Sequence, residues 1–94
     1  MFQSVKGMAD ILPADQDIWK AIWAEGNNIS ELHDFNLIET PILEPVGLFQ
    51  VGIGETTDIV EKEMFVLKTM GGDELALRAD GTAAVMRSSL QNHL

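Results

Sequence analysis

The residues best placed to do chemistry are Asp80, Gly81 and Thr82, within the run 75–87 (LALRADGTAAVMR). Residues 74–78 read as a strand, Asp80 and Gly81 as a sharp break, and Thr82 as the opening of a helix. A helix start carries free backbone N–H groups and a partial positive charge. Asp80 has two readings there. It can be a cap, accepting a bond from an N–H of the first turn. It can also be a carboxylate held at a sheet edge to receive a cationic group such as an ammonium, with the Thr82 hydroxyl beside it. Spacing alone does not choose between them.

Other chemistry is thinly represented. There is no cysteine, which excludes disulfides, thiolate metal sites and a thiol nucleophile. His33 and His93 stand far apart and form no zinc motif, so no metal site is expected. Asp58, Glu61 and Glu63 read as a solvated face, because a magnesium site needs convergent oxygens. No catalytic residue is assigned. The formal charge is −9, from 15 acids against 6 Lys and Arg, which argues against this chain gripping a phosphate backbone. It leaves open a larger protein that does so elsewhere. No apolar run approaches the roughly 20 residues that span a membrane. A basic stretch followed by an apolar one is missing at the N-terminus, so no signal peptide is expected. A cytoplasmic protein without a membrane partner is the default.

The elements that must position the junction follow in order. Ninety-four residues allow one small domain. The first ten residues show no period and read as an ordered arm. Pro13 opens a helix, helped by Asp15 and Asp17 at its positive end. Ile18, Trp19, Ile22, Trp23, Ile29 and Leu32 recur at helical spacing and carry it to about Asp34. Gly26 marks a possible kink. The apolar strip reads as a core face, with an exposed partner surface as the alternative. Residues 37–40 form a strand candidate, which residues 42–44 can continue beyond Pro41. Pro45 opens a brief turn or helix through Phe49. Gly52 and Gly54 bracket a loop that Thr56, Thr57 and Asp58 prolong. Residues 64–69 and 74–78 are paired strands around the hairpin loop 70–73, whose adjacent glycines accept positive φ. Leu75 and Leu77 share one face, Ala76 and Arg78 the other. The last helix shows no stop signal and is expected to run to the chain end, as a cut chain would.

Together these segments resemble the N-terminal part of the histidyl-tRNA synthetases, a family of class II aminoacyl-tRNA synthetases. The resemblance rests on residues 6–13 (KGMADILP), 38–44 (IETPILE), 48–49 (LF), 52–65 (GIGETTDIVEKEMF) and 71–83 (GGDELALRADGTA), in that order. It implies an α+β fold. The long helix and the strand ending at Pro41 correspond to class II motif 1, so part of the helix's apolar face and the strand would meet a second subunit in a homodimer. The hairpin and the last helix would belong to an incomplete antiparallel sheet with helices packed on it. Residues 1–94 would be a partial catalytic core, truncated before the rest of motif 2, motif 3 and the anticodon-binding domain.

The resemblance further implies a ligase that joins histidine to ATP as histidyl-adenylate and transfers it to tRNA(His). In that family the matching segment holds histidine. Carried over, Asp80 receives the α-ammonium, Thr82 adds its hydroxyl and Gly81 allows close approach. ATP and Mg2+ are implied for the full-length enzyme and not for this chain. It has no triphosphate-binding loop, and tRNA would bind parts absent here. The 94 residues alone are expected to be inactive.

Three departures stand out. Bacterial members usually carry Glu where this chain has Asp80, which is shorter by one methylene, about 1.5 Å. They usually carry Pro at the place of Ala79, and Gly at that of Asp34, where a positive φ is expected. The family has a catalytically silent paralogue, a regulatory subunit of ATP phosphoribosyltransferase in histidine biosynthesis, which is the alternative function. A dimerisation module without activity is a third.

Overall fold

The computed structural model describes residues 1–53 and 64–94, and the side chains of all of these except 51–53. The glycine–acid run 54–63, with Gly54, Thr56, Thr57, Asp58, Glu61 and Glu63, lies outside the described residues. The chain divides into two compact units, Met1–Leu37 and Ile38–Leu94.

The first unit is built on one helix. A 3-10 turn over Pro13–Asp15 leads into α1, Gln16–Leu32. Gly26 does not divide it. Instead the Ser30 hydroxyl donates to the Gly26 carbonyl at 2.8 Å. The end of α1 is closed in a defined way. Asp34 has φ 64, its N–H donates to Glu31 O at 3.1 Å, and Phe35 N–H donates to Ser30 O at 2.9 Å. A left-handed residue flanked by these two bonds is the Schellman closure that satisfies the last carbonyls of a helix. The positive φ expected at Asp34 is present. The core-face reading of the tryptophan strip is not met: α1 has no buried residue, and Trp19 and Trp23 are 43% and 61% exposed.

The second unit is a three-stranded antiparallel sheet with two helices, in agreement with an α+β fold. Its strands are β1 (Leu43–Pro45), β2 (Val66–Lys68) and β3 (Glu74–Leu77), ordered β1-β3-β2. Helix α2 (Val46–Ile53) follows β1, and α3 (Thr82–Asn92) follows β3. The strand expected over residues 37–40 is absent, and the strand forms just beyond Pro41. Its ladder with β3 runs from Leu43↔Leu77 to Pro45↔Leu75. Beyond the ladder one further backbone bond, Arg78 N–H to Ile42 O at 3.0 Å, prolongs the contact, and residues 37–40 make no ladder of their own. Pro45 ends an edge strand, where a missing N–H is tolerated. Gly52 and Ile53, expected in a loop, are the last residues of α2.

The β2–β3 hairpin forms as expected. Thr69 and Asp73 close it through Thr69 N–H to Asp73 O at 2.9 Å, and Gly72 takes φ 94. Side chains alternate across β3, and the covered face is the one bearing Ala76. Ala76 is fully buried with Val46 and Phe49 in one cluster, and Met64 and Ala83 pack against it. Leu43, Leu75 and Leu77, on the opposite face, are only half-buried. The last helix does not run to the chain end: His93 is left-handed at φ 57, and Leu94 N–H reaches back to Ser89 O at 3.0 Å. Histidine is among the residues that enter this region more readily, which is why no glycine announced the stop.

Candidate functional site

The strand–turn–helix read around Asp80 is present. β3 ends at Leu77, Gly81 is the residue at the helix boundary, and α3 begins at Thr82. The helix's first bond is Val85 N–H to Gly81 O at 3.0 Å. Gly81 has no side chain to cap with, and Asp80 accepts none of the hydrogen bonds found among the described residues. The capping role therefore has no support in the geometry. Asp80, Gly81 and Thr82 are all exposed, side by side at the sheet's end. Gly81 has φ −94, which any residue adopts, and a Cβ there would meet no atom within 4 Å. The glycine is thus required neither by its backbone nor by packing against its own chain.

Two arginines frame the junction. On the strand side, Arg78 N–H donates to Ile42 O at 3.0 Å. Its Nη1 donates to Thr40 O at 3.2 Å and to Thr40 Oγ1 at 3.1 Å. On the helix side, Arg87 Nη2 donates to Glu44 Oε1 at 2.8 Å and Nη1 to Gln91 Oε1 at 2.6 Å. Glu44 is only 3% exposed and Arg87's side chain 26%. Glu44 pairs with Ala76 on the covered face of the sheet, where an unpaired carboxylate would be costly. The ion pair therefore ties α3 to β1 from within. Sequence reading missed it. The one signal was an acid, Glu44, in an otherwise apolar run, and its partner lies 43 residues away.

The arrangement can receive a cation at Asp80. It has little to offer a triphosphate, since both described arginines already hold protein acceptors. Among the described residues no group of three or more His, Asp or Glu could hold a metal ion. The Mg2+ that the resemblance implies does not fit the residues described. In the first unit, a shallow hollow of about 430 Å³ lies on the α1 strip, lined by Trp19, Ile22, Trp23, Gly26, Ser30 and Leu37.

Comparison with known proteins agrees with this architecture. No protein-family model matches the chain. Among curated proteins, the histidine–tRNA ligase of Syntrophotalea carbinolica is 46% identical over 90 residues, which are 96% of this chain and 22% of that one. That of Dehalococcoides mccartyi strain BAV1 is 44% identical over 92 residues, 98% of this chain and 22% of the relative. That of Geobacter sulfurreducens is 43% identical over the whole chain and 23% of its own length. Among solved structures, apo S. aureus histidyl-tRNA synthetase superposes with a TM-score of 0.81 at 31% identity, over 99% of this chain and 21% of that one. An ATP phosphoribosyltransferase regulatory subunit/histidyl-tRNA synthetase from Bacillus halodurans gives 0.75 at 31% identity, over all of this chain and 24% of that one.

An antiparallel sheet with this strand–turn–helix, matched end to end, defines part of a class II aminoacyl-tRNA synthetase catalytic domain. The chain spans about a fifth of the length of the relatives it matches. Over that span it matches the histidyl-tRNA synthetases. No helix among the described residues is long and apolar enough to cross a membrane.

Proposed function

We propose that residues 1–94 serve as one part of the catalytic core of a histidine–tRNA ligase, supplying the ammonium end of the histidine pocket and part of a dimer interface. The single observation that carries this is the match along nearly the whole chain to ligases of that name. The geometry supports it at Asp80. A carboxylate beside an uncapped helix start, with open space above Gly81, leaves room for an amino acid to approach. Asp80 takes the α-ammonium and Thr82 offers a hydroxyl oxygen to another of its hydrogens. Gly81 keeps the approach clear.

An exposed carboxylate–ammonium pair is worth little in water, about 0–1 kcal/mol. The pocket must therefore be closed by further protein before Asp80 discriminates. ATP, Mg2+ and tRNA(His) are handled by residues outside this chain, and no catalytic step is assigned to it. The 94 residues alone make no histidyl-adenylate. The α1 strip, apolar and open, is the face that meets a second copy, as in a cytoplasmic homodimeric ligase.

The likeness to the Bacillus halodurans protein supports a second reading, a regulatory subunit of ATP phosphoribosyltransferase. One hybrid separates the two. Residues 1–94 replace the matching segment of the Geobacter sulfurreducens ligase, and histidine-dependent ATP–pyrophosphate exchange is measured. Exchange is expected. A soluble hybrid without it refutes the ligase reading and leaves the regulatory one.

A further inference from the structure

We propose that Arg78 and Arg87 are positioning residues that clamp the Asp80 junction from both sides onto one short stretch, residues 40–44. The inference rests on the reading of Asp80 as the acceptor for an ammonium. Between the two arginines the junction has little stiffness of its own. Among the described residues Asp80 accepts no bond, a Cβ on Gly81 would meet no atom within 4 Å, and α3 starts without a side-chain cap. The direction in which Asp80 points is inherited from what holds the two ends.

Those ends are both fixed, and to the same place. Arg78 leaves the last ladder bond at Ile42 and fastens its guanidinium to the carbonyl and hydroxyl of Thr40. Arg87 reaches Glu44, four residues further along the same segment, inside the covered face. The two anchors differ in character. Arg78 makes an exposed, neutral-acceptor contact that water can replace. Arg87 makes a mostly buried ion pair that water cannot. Arg78 thus sets the fine angle of the turn, while Arg87 sets where the helix lies. A lysine at 78 keeps a donor for Thr40 but loses the planar fork, so it restores part of the hold.

Amide hydrogen exchange of the 94-residue chain, followed by NMR, tests this. The reporter is the Val85 amide, which closes the first turn onto Gly81 O. The internal reference is Leu77, whose N–H bonds Phe65 O at 2.9 Å. Arg78→Met is expected to speed Val85 exchange about ten-fold, the loss of a charge-assisted bond, with Leu77 unchanged. Arg78→Lys is expected to fall between. Arg87→Met risks unfolding the unit, so Glu44→Leu/Arg87→Met removes the tie without stranding a charge, and Val85 should again exchange faster than Leu77. The proposal is overturned if Val85 and Leu77 change together, if Arg78→Met changes neither, or if Val85 in the parent already exchanges as an unstructured amide. No histidine enters the measurement. Its failure removes the clamp alone, whereas a silent Asp80 substitution in the hybrid ligase removes the histidine reading alone.

Discussion

Replacing Arg87 by Met should be far more damaging than its partly open position suggests. The substitution keeps the stem and deletes the guanidinium, leaving the Glu44 carboxylate, 3% exposed, without its ion partner. Breaking a buried pair in this way costs about 3–5 kcal/mol. Arg87 is 26% exposed, so water can reach the vacated end, and about 3 kcal/mol is the apt figure. Domains of this size hold about 0.05–0.15 kcal/mol per residue, or roughly 5–14 kcal/mol. Among the described residues the buried apolar core is small, with Val46, Phe49, Ala76 and Ala84, so the low end applies. Arg87→Met then removes more than half of the stability. With a urea slope of about 1 kcal/mol per molar, the midpoint falls by about 3 M.

The double variant Glu44→Leu/Arg87→Met should recover to within about 1 kcal/mol of the parent, because an apolar pair carries no desolvation cost. Trp19 and Trp23 lie in the other unit and are poor reporters. The methyl signals of Ala76 and Ala84 followed through urea are the suitable assay. Two single variants that each cost under about 1 kcal/mol, with effects that simply add, would refute the reasoning.

Other perturbations probe separate parts. Gly72→Ala places a side chain at φ 94 and should lower stability by about 1 kcal/mol, read from the same urea midpoint. Asp34→Gly relieves a left-handed residue at φ 64 and should strengthen the α1 closure by about 0.5–1 kcal/mol, seen as slower exchange of the Phe35 amide. Trp23→Glu puts a charge on the open α1 strip and should shift a sedimenting dimer to monomer. A parent chain that sediments only as monomer would contradict the interface reading.

Much of the scaffold was legible because it is local. The α1 pattern, the hairpin glycines and the strand–turn–helix at Asp80 each write their geometry in a few neighbouring residues. The positive φ at Asp34 was legible from the residue type that usually stands there. What stayed hidden depends on partners distant in sequence. Residues 37–40 carry strand-forming side chains, yet a strand needs a neighbour, and the backbone bonds of β1 and its partner end with Arg78 N–H to Ile42 O. The ion pair Glu44–Arg87 joins residues 43 apart, and nothing near either announces the other. The α1 strip shows the opposite limit. Periodicity reveals that a face is apolar but not what covers it, and within the first unit nothing buries this one. At the candidate site, composition offered Asp80 as cap or ligand, and the resemblance favoured ligand. The exposed, unbonded carboxylate is compatible with that choice and leaves the cap without a bond to support it.

The central claim is that Asp80 receives the ammonium of histidine. Its most direct measurement is the histidine KM in ATP–pyrophosphate exchange for the hybrid ligase carrying Asp80→Ala. The account predicts a rise of about ten-fold or more for histidine with the ATP KM unmoved, as expected when a charge-assisted bond to one substrate is lost. A histidine KM within two-fold of the parent, about 0.4 kcal/mol, would contradict it.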